Sequence, residues 1–456
     1  MLPAIDASPA DLARRYQAVR ATTLALTAPL SEADVQVQSM ADTGPAKWHL
    51  AHTSWFFETL VLERAEPRFR PHDPTYRVLF NSYDNGIGDQ PARAQRGLIT
   101  RPGLQAVKAY RQAVDDRVLT LLDRSPDATT LALVTLGLQH ELQHQELVLT
   151  DLLHLLSCNP LRPGYRPAVT HAPAPVPPPI PPPVPAAIPA PAATTLALAW
   201  LPHEAGLVEI GHAGPGFAFD NEQARHPQWL AAYALANRLV TQGEWADFIA
   251  DGGYQNPRWW LAAGWDWLGS GRNERSERIS APLYWQADGP GRWQVFGLRG
   301  LQPLVAAQPV VQVSLYEADA FAAWSAAQQH LPLRLPTEAE WEHAAAPLAE
   351  RGIAEGKLLD SEGLLPQAAT LGASGLQQAF GDVWEWTRSA YAPYPGFKPW
   401  SGAVGEYNGK FMANQFVLRG GSCATPRTQL RAPYRNFFAA DARWQFSGLR
   451  LACDPT

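Results

Sequence analysis

His140 and His144 lie four residues apart within residues 131–156, a run of helically spaced apolar side chains interrupted only by Gly137. On a helix such a pair points the same way, one turn or about 6 Å along the axis, so both imidazoles can hold one metal ion. The same spacing also suits surface or packed core histidines, and for the pair alone the two outcomes stand level. Glu146 falls roughly 200° around the helix from His144, away from that metal and toward a neighbouring element. Gln143 sits one turn from His140 and looks into the same site.

A metal held by one helix needs partners from others. The 456 residues suffice for two or more domains with their own cores. Residues 1–158 read as helical: Ser8 is placed to cap a helix running to about Thr27, and further runs cover 46–66, 102–124 and the histidine segment. Four such segments predict a four-helix bundle, whose sites form between facing helices. The connection 67–101 is long for a bundle, and loops of that length are functional or disordered. Residues 159–195 are proline-rich, centred on Pro173-Ala174-Pro175-Val176-Pro177-Pro178-Pro179, and predict an extended spacer without a core. From 196 to 456 the texture changes to short apolar runs, many glycines and scattered tryptophans. With short helices over 242–250 and 314–329, this predicts an α+β domain with much irregular structure.

Composition narrows the classes. A formal charge of -6 argues against general affinity for nucleic acid or anionic membranes. Cys158, Cys423 and Cys453 are too few and scattered for a disulfide framework or a cysteine-rich zinc site. The N-terminus lacks the apolar core of a signal peptide, and no window reaches the length of a spanning helix, so the expected setting is cytoplasmic. The second helical run holds Lys47-Trp48-His49-Leu50-Ala51-His52, and either His49 or His52 could supply a third imidazole. Three ligands, unlike the four of a structural zinc site, leave positions open for substrate and oxygen.

Ala51-His52 in this setting, with the His-x-x-x-His-x-Glu of residues 140–146, resembles the DinB-like helical domain of the ergothioneine-type sulfoxide synthases. The second half is similar to their formylglycine-generating-enzyme-like (C-type-lectin-like) α+β domain. The residues that carry this likeness are Phe219-Asp220-Asn221-Glu222, Gly252-Gly253-Tyr254, Leu335-Pro336-Thr337-Glu338-Ala339-Glu340-Trp341-Glu342, Gly381-Asp382-Val383-Trp384-Glu385-Trp386-Thr387, Arg419-Gly420-Gly421-Ser422 and Phe446-Ser447-Gly448-Leu449-Arg450. Several motifs in order, over nearly the whole chain outside the proline stretch, make the likeness specific.

The resemblance implies an Fe(2+) enzyme that uses O2 to bond a sulfur donor to the imidazole C2 of hercynine, N-trimethylated histidine. It makes His52, His140 and His144 the iron ligands and leaves His49 to packing or support of the site. Gln143 matches a residue on the hercynine side of the pocket. Asn436, Phe437 and Phe438 match a hercynine-contacting segment, where ring faces can receive a quaternary ammonium that has no N–H to donate. Asp441, Arg443 and Gln445 follow, with loop packing as ready an explanation as substrate contact.

Relatives often carry two adjacent tyrosines where this chain has Tyr83 and Asp84, so the second phenol, a proton or electron donor to oxygen, is missing. Tyr391 and Tyr394 are possible substitutes, although loop packing accounts for them more simply. Asp84 suits hydroxyls better than an anionic thiol, which inclines the donor toward the selenosugar of the related selenoneine synthases. Arg93 and Arg96 point the other way, toward the carboxylates of cysteine or γ-glutamylcysteine. The expected partners are therefore small molecules: hercynine, the selenosugar or thiol donor, and O2. No nucleic acid, membrane or obligate protein partner is expected. Two other classes compete: a zinc-dependent thiol transferase on a similar helical scaffold, and a non-enzymatic sugar- or protein-binding module. A formylglycine-generating activity is disfavoured because Cys423 and Cys453 are isolated.

Overall fold

The computed structural model describes residues 8–82, 86–166, 195–270, 278–361, 363–406 and 408–455. Four long helices organise the N-terminal half: α1 (Pro9–Thr27), α2 (Ala46–Phe56), α3 (Leu104–Asp123) and α4 (Ala128–Cys158). Ser8 caps α1 as expected, accepting from the Asp11 amide, and Asp127 caps α4 through the Thr130 amide. Helix α4 packs on α1 and α2, while α3 packs on α1 and α2.

All eleven residues of α2 are buried, which makes it the innermost helix and explains why its sequence shows no polar face. Beyond Phe56 the predicted single helix changes character. Phe57–Leu62 is a π-helical stretch, followed by one α-turn, Glu63–Ala65, the kind of irregularity that collects near functional sites. Gly137 also has a packing reason, because a Cβ there would lie 2.5 Å from the Phe57 ring.

The face of α4 next to the histidines, roughly 60–100° around the helix from them, carries a buried ion network. Glu141 bonds Arg20 at 2.9 Å, Thr23 at 2.6 Å and also Arg111. Burial alone would raise its pKa, but Arg111 and Arg20 outweigh that and hold it at about 2. Glu141→Gln should therefore cost about 3–5 kcal/mol by leaving buried Arg111 without a carboxylate, while Arg20 keeps Asp115 at 2.6 Å. Denaturant unfolding reads this, and a variant as stable as the parent would show Arg111 is otherwise neutralised.

The C-terminal half is α+β. One four-stranded sheet runs Trp200–His203, Tyr233–Ala236, Ala452–Cys453, Leu333–Arg334, all antiparallel. The other runs Asn436–Ala439, Gln415–Arg419, Trp384–Ala390, Ser447–Gly448, with only the last pair parallel. The two helices expected there form at Gln242–Ala250 and Leu315–Gln329. Three more, Ala262–Gly269, Glu338–Ala345 and Ala349–Glu355, were not anticipated. The second had a legible start, since Thr337 and Glu340 form a reciprocal capping box. Residues 167–194, most of the proline-rich stretch, lie outside the described residues. No helix among the described residues is long and apolar enough to cross a membrane.

The halves meet along one stripe of α4, at Gln139, Gln143 and Glu146. Glu146 is buried and accepts from Trp384 Nε1 at 2.8 Å, Ser422 Oγ at 2.5 Å and Thr425 Oγ1 at 2.7 Å. Ser422 reaches it because Gly420 and Gly421 turn at positive φ, where a Cβ would meet Ala379 O at 2.5 Å or Leu430 at 2.6 Å. The helical-wheel argument that turned Glu146 away from the metal thus ends in an interdomain contact.

Candidate metal centre and substrate cavity

His140 and His144 from α4 meet His52 from α2. His140 Nε2 is 3.0 Å from His144 Nε2 and 3.2 Å from His52 Nε2, and ligand atoms of all three lie within 4.8 Å of one another. The rings are 1–8% exposed. Burial, then the neighbouring His140, hold His52 well below the usual histidine range; the same causes act on His144, and burial takes His140 to about 3. All three are thus neutral near pH 7, the form that ligates metal.

Neighbouring groups orient the rings. His52 Nδ1 lies 2.7 Å from the carbonyl of Phe80; a carbonyl has no proton to give, so Nδ1 carries the hydrogen and Nε2 keeps its lone pair. Trp48 stacks on His52 at 4.5 Å with the Arg96 guanidinium beyond it at 3.6 Å, and Phe56 stacks on His140 at 4.6 Å. The long connection 67–101 supplies both the Phe80 carbonyl and Arg96 to this cluster. His49 points elsewhere on α2: its Nδ1 is 2.7 Å from His144 Nδ1, and its Nε2 is 3.1 Å from Asp151.

His140 and His144 of the triad open into a cavity of about 1380 Å3 lined from both halves, with Gln143, Trp384, Tyr434, Asn436 and Phe437 also on its wall. Residues 15–148 match the DinB superfamily, and residues 189–369 and 360–455 match the sulfatase-modifying factor enzyme 1-like domain. Over 98% of its length the chain is 32% identical to a hercynine oxygenase of Mycolicibacterium thermoresistibile, 95% of which it covers. The chain belongs to the hercynine oxygenase family. It is also 32% identical to the hercynine oxygenase of Mycobacterium tuberculosis, covering 98% of this chain and 99% of that one. A further relative, ergothioneine biosynthesis protein 1 of Schizosaccharomyces pombe, is 28% identical over 52% of this chain and 27% of its own length. Membership in a family of oxygenases makes the chain an oxidoreductase and removes the thiol-transferase and binding-module alternatives.

The remaining site residues of this family member divide by location. Gln143 donates to Tyr434 Oη at 2.7 Å, on the cavity wall. Asn436, Phe437 and Phe438 line the cavity on an edge strand; Asn436 accepts from the Phe437 amide, and Phe437 stacks on Tyr391 at 3.9 Å. Arg93 and Arg96 line it too, but each has an internal partner: Arg93 bonds the Asp42 carbonyl, and buried Arg96 bonds Ser82 at 2.7 Å. Asp441, Arg443 and Gln445 also reach the cavity, with Arg443 tied to Ala281 and Glu317. Tyr83 and Asp84 lie outside the described residues.

Tyr391 and Tyr394 do not serve as substitutes for a cavity phenol. Both are buried behind its wall, Tyr391 accepting from Asn221 and Tyr394 donating to Glu338. Among the phenols that do reach the cavity, Tyr434 meets Gln143, and sequence reasoning missed it. Its oxygen accepts from Gln143 and, at 2.8 Å, from Gln429, and burial pushes its pKa up to about 12. Its position two residues before Asn436 was the available signal. Asp151 was also missed, although its place seven residues after His144 puts it on the same helix face.

Proposed function

We propose that the chain is an Fe(II)- and O2-dependent synthase that bonds a selenium or sulfur donor to the imidazole C2 of hercynine, with a selenosugar ahead of an anionic thiol. The observation that carries the synthase reading is the buried, neutral three-imidazole cluster opening into a cavity shared by both halves. His52, His140 and His144 fit Fe(II), since three nitrogen donors without charge leave the ion cationic and open. Bound there, iron would supply the redox chemistry with O2.

The chain's own residues bind and orient. Tyr434 holds the Gln143 amide at the wall, where it can meet the imidazole side of hercynine without adding charge. Phe437 and Phe438 offer ring faces to the trimethylammonium group, and Tyr391 stiffens Phe437 from behind. For the donor, Arg93 and Arg96 are already engaged with Asp42 and Ser82. Gln445, only 2% exposed, lines the same cavity with neither amide atom hydrogen-bonded among the described residues, and the buried Trp285 indole N–H is likewise unbonded. Neutral donors and acceptors of this kind suit hydroxyls more than carboxylates. The second reading, cysteine or γ-glutamylcysteine as donor, draws on the presence of both arginines in the cavity wall.

Incubating the purified protein with Fe(II), O2, hercynine and each donor separately tests this, with the product read by mass spectrometry. The expected result is a C2-bonded product formed fastest from the selenosugar. Exclusive turnover of a thiol would overturn the selenium preference and leave the synthase standing; no product from any donor would overturn the whole reading.

A further inference from the structure

The geometry points to Asp151 and His49 as positioning residues that fix the tautomer of His144 and make it more electron-rich than His52; this rests on reading the triad as metal ligands. Asp151 Oδ2 accepts from the Gly44 amide at 2.7 Å and lies 3.1 Å from His49 Nε2. The oxygen that already accepts from the Gly44 amide accepts from His49 as well, so His49 Nε2 carries the hydrogen. With one hydrogen on the ring, placed on Nε2, His49 has Nδ1 left to accept, 2.7 Å from His144 Nδ1. His144 must then donate from Nδ1, and its lone pair sits on Nε2, the atom 3.0 Å from His140 Nε2.

Every link runs in one direction, from His144 through His49 to the carboxylate. Reversing the middle link would put the hydrogen of His144 on the nitrogen that faces the triad. All three groups are at most 8% exposed, so the polarisation they pass along is little screened by water. His52, by contrast, donates to a neutral backbone carbonyl. Gly44 belongs to the device, because a Cβ there would stand 2.8 Å from His49 Nε2.

Outer partners of this kind change metal affinity by about 10–100-fold. Asp151→Asn keeps an oxygen for Gly44 and His49 while removing the charge, and His49→Phe cuts the chain but keeps a ring. Titrating the full-length protein with Co(II) alone should show affinity weakened about 10-fold in the first and up to about 100-fold in the second. Adding Asp151→Asn to His49→Phe should cost nothing more, because the link is already cut. In proton spectra of the Co(II) protein, one exchangeable, hyperfine-shifted imidazole N–H line should move in Asp151→Asn while that of His52 stays. Wild-type affinity and an unchanged spectrum in folded variants would overturn this inference alone, as would additive losses in the double variant. A parent protein that takes up no Co(II) would overturn both it and the proposed function.

Discussion

Replacing His140 by alanine should abolish stoichiometric metal uptake and lower turnover by at least about 1000-fold, while the fold survives. His140 sits between the other two ligands, 3.0 Å from one and 3.2 Å from the other, so its loss removes the shared member of the cluster. Two imidazoles from different helices do not make a closed site, and a weak two-nitrogen centre leaves the ion mobile and exchangeable. A loss of that size corresponds to about 4 kcal/mol of transition-state stabilisation, well beyond the ~1 kcal/mol of an ordinary hydrogen bond. The fold should tolerate the change because the ion network on the neighbouring face of α4, Glu141 with Arg20 and Arg111, keeps its own partners. Phe56 loses a stacking partner, which limits the expected cost to about 1–3 kcal/mol. Metal titration, turnover and thermal unfolding of one preparation check all three parts. A folded variant that still binds one metal with parental affinity would show that the triad is packing.

Glu146→Ala should destabilise the junction between the halves by about 3 kcal/mol and weaken hercynine binding without removing the metal site. The carboxylate gathers three donors, Trp384 Nε1, Ser422 Oγ and Thr425 Oγ1, none of them charged. Burial raises its pKa against the pull of those hydrogen bonds, so Glu146 is held by geometry rather than by a counter-ion. Each buried donor left without a partner costs about 1–3 kcal/mol; the two hydroxyls can turn to other acceptors, whereas the indole N–H cannot. Ser422 and Thr425 already share a contact at 3.2 Å, which holds the expected sum near the ~3 kcal/mol upper figure for one stranded donor. Trp384 forms part of the cavity wall, so its release should raise KM for hercynine more than it lowers kcat. Denaturant unfolding, followed by tryptophan fluorescence, should shift to a lower midpoint. An unchanged midpoint together with an unchanged KM would show that the halves are held elsewhere.

Much of the site was legible because it is periodic. Four-residue spacing placed His140 and His144 together, and the helical wheel turned Glu146 out of the metal site and left Gln143 facing the cavity. The same logic would have reached Asp151, two turns beyond His144. Tyr434 was harder, since it sits in a loop with no period, and only its contact with Gln143 gives it meaning. Tyr391 and Tyr394 show the converse: tyrosines after a motif look available in a sequence, but here they are buried against Phe437 and Glu338.

What the sequence determined by itself is whatever follows from local geometry: the helices and their caps, the paired histidines, the change of texture near residue 196, and the ordered motifs that mark the family. Local geometry left His49 and His52 level, the family resemblance favoured His52, and only the tertiary structure gives the physical reason. They lie three residues apart on α2, and nothing local ranks one above the other as a ligand. The choice depends on how α2 is rotated against α4, which is set by packing side chains across the whole N-terminal half, including Gly137 against Phe57. With that rotation set, the ring of His52 meets His140, and His49 is left to join His144 to Asp151.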